Sequence, residues 1–293
     1  RRRALPLLRL PHPLQDPHEA PHPVRGPLME LLFLGTSAGA PSISRNVQSC
    51  AVRLESGEYV VVDCGEGTQQ QLLKASAKSY GANRFRPSRT NIILVTHLHG
   101  DHCIGILGFL QTMTLQNRTE PIEIYGPDGI EEFIATNMKV MNFGLSFPVL
   151  ITSVNNGLVV NEEKYEVYAC KAEHSVTAFS YLFKEKEKPG EFYPDKAIAL
   201  GVPKGKLWHT LQCGEEVTIE NKTIKPSQVM GPNISGKKIG VSGDTRPTKE
   251  LEEFFNACDY LIFDSTFSDE LKEKAVESGH STAKEAATLA QNA

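Results

Sequence analysis

From Met29 onward the chain alternates short apolar runs with polar turns. Runs at Glu30–Leu34, Tyr59–Val62, Asn91–Val95, Ile122–Tyr125, Tyr165–Ala169, Phe179–Phe183, Lys238–Val241 and Tyr260–Phe263 predict strands. Helices are predicted over Thr68–Ala77, Gly105–Leu115, Gly129–Met141, Lys249–Asn256 and Ala283–Asn292. Adjacent strands interleaved with helices point to an α/β protein other than a plain doubly wound sheet.

Two stretches break this pattern. Residues 1–28 are rich in Pro, Arg and His and show no hydrophobic periodicity, which predicts a non-globular leader. A disordered tail or translated upstream sequence is the first expectation for it. An organelle-targeting segment is the alternative, because the stretch is Arg-rich and acid-poor, although it lacks Ser and an amphipathic helix. Its His12, His18 and His22 are spaced by prolines and read as solvated coil. The second stretch, residues 184–217, interrupts the strands with three prolines, several glycines and many lysines, and it holds the single tryptophan, Trp208. Connections of that length in a compact domain are functional or disordered.

Composition narrows the class. At 293 residues, with 40% hydrophobic and 23% charged content, the chain is expected to fold as a soluble enzyme with a large core. A net charge of −4 argues against a generally basic coat, so any nucleic acid would be held by local patches. No apolar run approaches the ~20 residues a bilayer crossing needs, so no membrane partner is expected. The six cysteines form no C-x-x-C pair and read as reduced thiols in an intracellular protein.

The densest chemistry is Thr96–His102, THLHGDH, which follows the apolar run NIILV. His97, His99, Asp101 and His102 bring imidazole and carboxylate together at the end of a buried strand. Such ligands suit zinc, and two ions ~3.5–4 Å apart are common in hydrolytic centres. Gly100 and Gly105 are expected to free the backbone for a tight turn there. His174 and Asp244 also follow predicted strands, so strand ends could bring them to the same sheet edge. Alone, the first would read as an ordinary surface histidine and the second as a turn residue. Asp63, at the end of YVVVD, could orient a ligand histidine, cap the following helix, or do both.

THLHGDH resembles the H-x-H-x-D-H signature of the metallo-β-lactamase superfamily, an αββα four-layer sandwich with two metals at one edge. The segments FLGTSAGAPSISRNVQS, VDCGEGTQQQLL, EHS, VSGDTRP and GHST, in order from Met29 to the end, are similar to the short form of ribonuclease Z, the tRNA 3′-processing endonuclease. KPGEF and ALGVPKGKL within the inserted stretch resemble that family's flexible tRNA-binding arm.

The resemblance implies two Zn²⁺ per subunit. One would be held by His97, His99 and His174 with Asp244 bridging, the other by Asp101, His102 and Asp244. It further implies that Asp101 orients or deprotonates the attacking water. His280 would stabilise charge or help protonate the leaving oxygen, with Asp264 in a supporting loop. Arg45 and Asn46 would sense the tRNA 3′ end, although Ile43 stands where the family usually has Lys. Lys186, Lys188, Lys204 and Lys206 would contact phosphates, and a homodimer is implied. Arg84, Arg86 and Arg89 form a second basic cluster that also reads as a polar turn. The family has a further ligand histidine after the position of Ala293, so a weakened second site is expected for the chain as written. The functional expectation is a metal-dependent endoribonuclease acting on precursor tRNA inside the cell, in the cytoplasm first, with plastid, mitochondrion or nucleus open. A small-molecule phosphodiesterase or lactonase of the same fold and a catalytically silent RNA-binding protein are the alternatives.

Overall fold

The computed structural model describes residues 29–54, 57–78 and 87–293. The expected leader at 1–28, together with Arg84 and Arg86, lies outside the described residues. The first half contains β1 (Met29–Gly35), β2 (Ser49–Leu54), β3 (Tyr59–Val62), α1 (Thr68–Lys78) and β4 (Thr90–Leu94). It continues with α2 (Gly100–Cys103), α3 (Gly105–Leu115), β5 (Ile122–Gly126), α4 (Ile130–Val140) and β6 (Val149–Ser153). The second half begins with β7 (Gly157–Asn161), β8 (Tyr165–Ala172) and β9 (Ala178–Glu185). Then come α5 (Pro194–Ala199), α6 (Lys206–Gln212), β10 (Val217–Ile219) and β11 (Lys222–Ile224). The chain closes with β12 (Lys238–Val241), α7 (Lys249–Phe254), β13 (Tyr260–Ile262), α8 (Lys272–Ser278) and α9 (Ala283–Asn292).

One sheet has the order β1-β2-β3-β4-β5-β6, the other β13-β12-β9-β8-β7. From β3 to β6 the first sheet is parallel, whereas β7, β8, β9 and β12 pair antiparallel. Alternation along β4 explains the layering. Ile93 and Val95 pack into a core with Phe109, Leu110 and Ile134 of α3 and α4, while Ile92 and Leu94 pack against Val167, Tyr181 and Phe183 of the other sheet. A strand buried on both faces reads as a continuous apolar run, which is why β3 and β4 stand out in the sequence. On the outer face of the second sheet, Leu182 packs with Leu251 and Phe255 of the α7 segment and Leu289 of α9. The result is a helix–sheet–sheet–helix sandwich. Each fully buried aliphatic side chain in it contributes about 1.5–3 kcal/mol of hydrophobic stabilisation.

Two bonds lock the sheets together at one rim. Tyr181 Oη donates to Val95 O at 2.8 Å, and Phe179 N donates to Thr96 O at 2.9 Å. They place the start of β9 against the residues that follow β4.

The inserted segment is wider than the 184–217 read from the sequence. Lys184 and Glu185 still belong to β9, Val217 opens the β10–β11 hairpin, and Lys188 pairs with Ile234 as the segment returns. It has its own small core of Ala197, Val202, Leu211, Val217, Ile224 and Val229. Several predicted bounds shift by a residue or two, as helix and strand ends do. Strands β2, β6, β7, β10 and β11 and helices α2, α5, α6 and α8 are not among the elements that the sequence pattern predicts. β6 and β7 are edge strands with exposed Leu150 and Leu158, so neither shows a clean apolar pattern. Among the described residues, no helix is long and apolar enough to cross a membrane.

Candidate metal centre

Strand ends of both sheets meet at one rim. β3 delivers Asp63, β4 is followed by His97 and His99, the β8–β9 connection holds His174, and Asp244 and Asp264 follow β12 and β13. His280 lies between α8 and α9. The expected tight turn at 99–105 is helical: His99 is the N-cap of α2, and Asp101 and His102 sit in that helix. Neither Gly100 nor Gly105 has a positive φ. Gly105 is needed for close approach instead, because a Cβ there would lie 2.0 Å from Gly65 O. That contact presses α3 onto the loop that follows Asp63.

Three sets of ligand atoms each lie within 4.8 Å of one another: His97, His99 and His174; His97, His102 and Asp244; and His174, Asp244 and His280. His97 Nε2 is 2.9 Å from His99 Nδ1, and His174 Nε2 is 3.3 Å from the same His99 nitrogen. Asp244 Oδ2 lies 3.3 Å from His102 Nε2 and 3.9 Å from His97 Nε2. Asp101 Oδ2 is 3.5 Å from His102 Nε2 and accepts the Gly39 N–H at 3.1 Å.

Outer contacts fix which nitrogen of the His97, His102 and His174 rings faces inward. Asp63, buried and in left-handed conformation at φ 59°, sits 2.8 Å from His102 Nδ1 and accepts from Thr96 N and Thr96 Oγ1. His174 Nδ1 donates to Gly279 O at 2.9 Å, which leaves its Nε2 lone pair toward the cluster. His97 Nδ1 lies 3.0 Å from Thr96 Oγ1. A carboxylate or carbonyl on the outer nitrogen is the arrangement that makes the inner nitrogen a metal ligand.

The electrostatics divide the rings. Burial, reinforced by the neighbouring His102, pushes His97 down to about 2, so it stays neutral as a ligand must. Burial and then His174 also lower His99. For His102, burial opposes a charge, but the pull of Asp63, Asp101 and Asp244 outweighs it and raises the group well above the usual imidazole range. Burial likewise works against ionised Asp244 and Asp101, yet contact with His102 keeps both below the ordinary carboxylate range. His97, kept neutral, offers a lone pair beside ionised Asp101 and Asp244, and a cation among them would take the place of the proton that the carboxylates otherwise hold on His102. This donor set fits zinc or a similar divalent ion.

His280 is held separately. Its Nδ1 is 2.8 Å from Asp264 Oδ2, a bond that raises its pKa against the effect of burial, and 3.9 Å from Asp244 Oδ2. Asp264 also accepts from Thr245 N and from Thr266.

A cavity of about 510 Å³ opens beside this rim, lined by Arg45, His102, Asp244, Asp264 and Thr266 among others. Asn46 does not line it, because its Nδ2 donates to Glu66 O at 2.9 Å and pins the 36–46 loop. The four lysines are not at this rim. Lys186 donates to Asn161 Oδ1 and Lys188 pairs with Ile234 near the far end of the sheets, while Lys204 and Lys206 are exposed on the inserted segment. Thr96, the Gly39 N–H and the Gly279 carbonyl carry no mark in the sequence. Thr282-x-x-Glu285 does read as a helix capping box and marks the start of α9.

A family model described as Anti-Pycsar protein Apyc1 matches residues 29–141. That segment carries Asp63 and the 97–102 cluster but not His174, Asp244 or the inserted segment. Among solved structures, human tRNase Z, short form, superposes with a TM-score of 0.66 at 28% identity, covering 89% of this chain and 88% of that one. The metallo-beta-lactamase fold protein YhfI from Bacillus subtilis gives a TM-score of 0.59 at 14% identity over 90% of this chain and 81% of its own, which bears on fold alone. Ribonuclease Z of Nitrosopumilus maritimus is 56% identical over 265 residues, 90% of this chain and 86% of that protein. At that identity and coverage the chain belongs to the ribonuclease Z family.

Proposed function

We propose that this chain is a metal-dependent endoribonuclease that removes the 3′ trailer from precursor tRNA. The observation that carries the reading is the convergence of His97, His99, His102, His174 and Asp244 on one rim, beside a cavity lined by Arg45. In the reaction, a water oxygen adds to phosphorus, the bond between phosphorus and the tRNA O3′ breaks, and a proton passes to O3′. The oxygen stays on the 5′ phosphate of the trailer.

His97, His99 and His174 would hold one cation, and His102, Asp101 and Asp244 the other, with Asp244 shared and zinc the first candidate. Such ions supply a hydroxide at neutral pH and neutralise charge on the phosphate. Asp101, fixed by the Gly39 N–H, orients the water and accepts its proton. His280, with Nδ1 on Asp264, presents its other nitrogen as the proton donor to O3′. Arg45 contacts phosphate at the cavity, and Asn46 shapes the loop that carries it.

The inserted segment leaves β9 at Glu185, whereas β9 begins near the metal rim at Ala178. Eight residues of strand separate those ends by roughly 24 Å. This separation supports a homodimer in which the arm of one subunit, through Lys204 and Lys206, holds tRNA that is cut at its partner. Lys186 and Lys188 sit at the base of the arm and serve it structurally. With precursor tRNA as the substrate, the proposed location is inside the cell.

The test is incubation of the zinc-loaded protein with precursor tRNA and, separately, with bis(p-nitrophenyl) phosphate. Release of the trailer with a 3′-hydroxyl on the tRNA supports the reading. Turnover of the small diester alone, or RNA binding without any product, overturns it.

A further inference from the structure

Arg246 lies two residues past Asp244 and joins segments that carry different site residues. Its main-chain N–H donates to Glu173 O at 2.8 Å, next to His174. Its guanidinium forks onto Glu285, with Nη2 to Oε1 at 2.6 Å and Nη1 to Oε2 at 2.8 Å. Nη1 also donates to His280 O. Glu285 in turn caps α9 by accepting from Thr282 N at 3.0 Å, and Ser281 Oγ donates to Thr245 O at 2.6 Å. Both side chains of the pair are mostly buried, at 13% and 14% exposure.

We infer that the Arg246–Glu285 fork is a positioning brace that sets the His280 imidazole over Asp244 and Asp264. The His280 backbone has two anchors. Its N–H donates to Ala275 O at 2.8 Å, following left-handed Gly279, and its carbonyl accepts from Arg246. Without the guanidinium only the first anchor remains, the carbonyl is left without that donor, and Glu285, mostly buried, keeps only exposed Lys272 at 3.5 Å and the Thr282 N–H as partners. A planar guanidinium serves two carboxylate oxygens and a carbonyl together, which an ammonium cannot do with the same geometry. The brace touches neither the proposed ligand side chains nor the substrate cavity, so its effect runs through the placement of His280. The inference rests on the reading of His280 as proton donor to O3′.

The test compares wild type, Arg246→Lys and Glu285→Gln, each zinc-loaded, on two substrates. The tRNA O3′ leaves as a poor leaving group that needs a proton, whereas p-nitrophenolate leaves without one. The brace predicts that kcat on precursor tRNA falls about 10- to 100-fold, the range for a misplaced reacting group, with KM unchanged. Turnover of bis(p-nitrophenyl) phosphate and the zinc content stay at the wild-type level, and the ¹⁵N resonances of the His280 ring shift or broaden. Equal loss on both substrates together with zinc would make the pair a support of the metal rim and overturn the inference. Full activity on tRNA with an unmoved His280 signal, or unfolding of both variants, would overturn it as well. If wild type fails to cut tRNA, the parent reading falls instead, and the His280 resonances still decide whether the brace places the ring.

Discussion

β9 runs from one rim of the sandwich at Ala178 to the other at Glu185, and the chemistry at its two ends differs in kind. At the first rim, four imidazoles and two carboxylates point at one another across 2.9–3.9 Å. At the far rim a larger cavity, about 960 Å³, is lined by Glu58, Glu120, Glu123, Glu162 and Glu163 with Arg118 and Lys164. Two of its polar groups, Glu123 and Arg118, have ordinary partners. Tyr125 donates to Glu123, and the Arg118 guanidinium is taken up by the carbonyls of Ser88, Thr90, Glu120 and Pro121. Among the described residues, all three sets of metal-type ligands lie at the first rim. Neither cavity size nor acidity therefore marks the centre; the marks are inward-facing imidazole nitrogens fixed from behind.

The sharpest way to break this comparison is Asp244→Ala, which removes the carboxylate that faces the inner Nε2 atoms of both His97 and His102. Loss of an outer partner costs 10–100-fold, so loss of this group should lower tRNA cleavage by at least about 100-fold. Bound zinc should fall in the same preparation, and tRNA affinity, measured by filter binding, should not. Retained metal and activity would remove Asp244 from the centre.

Asp63→Asn comes next, because it leaves His102 Nδ1 with a neutral amide. Zinc affinity should drop about 10- to 100-fold in competition with a chelator. An unchanged affinity would show that orientation from behind is not what separates the rims.

Replacing residues 189–233 by a short Gly-Ser link tests the far rim. tRNA affinity should weaken, with the salt dependence shallower by about 0.7 for each phosphate that the arm no longer neutralises, while small-diester turnover stays constant. Unaltered tRNA affinity would take the arm out of binding.

A smaller effect is expected for Tyr181→Phe, which strands Val95 O inside the sandwich. Urea denaturation should show a destabilisation of about 1–3 kcal/mol.

The smallest concerns pH. Arg246, against the effect of partial burial, lowers the Glu285 carboxyl to about 2 from an ordinary 4.5. Its folded pKa is depressed, so the contribution of Glu285 is complete above about 4.5 and is lost as pH falls toward 2. The urea midpoint of wild type should therefore approach that of Glu285→Gln across this window. A constant gap would mean that the pair does not govern the acid side.

Sequence by itself determined the elements whose pattern is set locally. β3 and β12 matched the read bounds because they lie among buried neighbours, and α3 and α9 matched because their apolar spacing is helical. It also fixed the ligand types around THLHGDH, since chelating side chains within six residues must share one neighbourhood. The tertiary structure decided what depends on partners distant in the chain. Edge strands β6 and β7 owe their form to pairing and not to apolar patterning. Asp63 meets His102 across 39 positions, His174 meets Gly279 across 105, and Arg246 meets Glu285 across 39. Which ring nitrogen faces the centre, and which rim carries the arm, follow from those long-range contacts, because a hydrogen bond is specified by position in space and not by order along the chain.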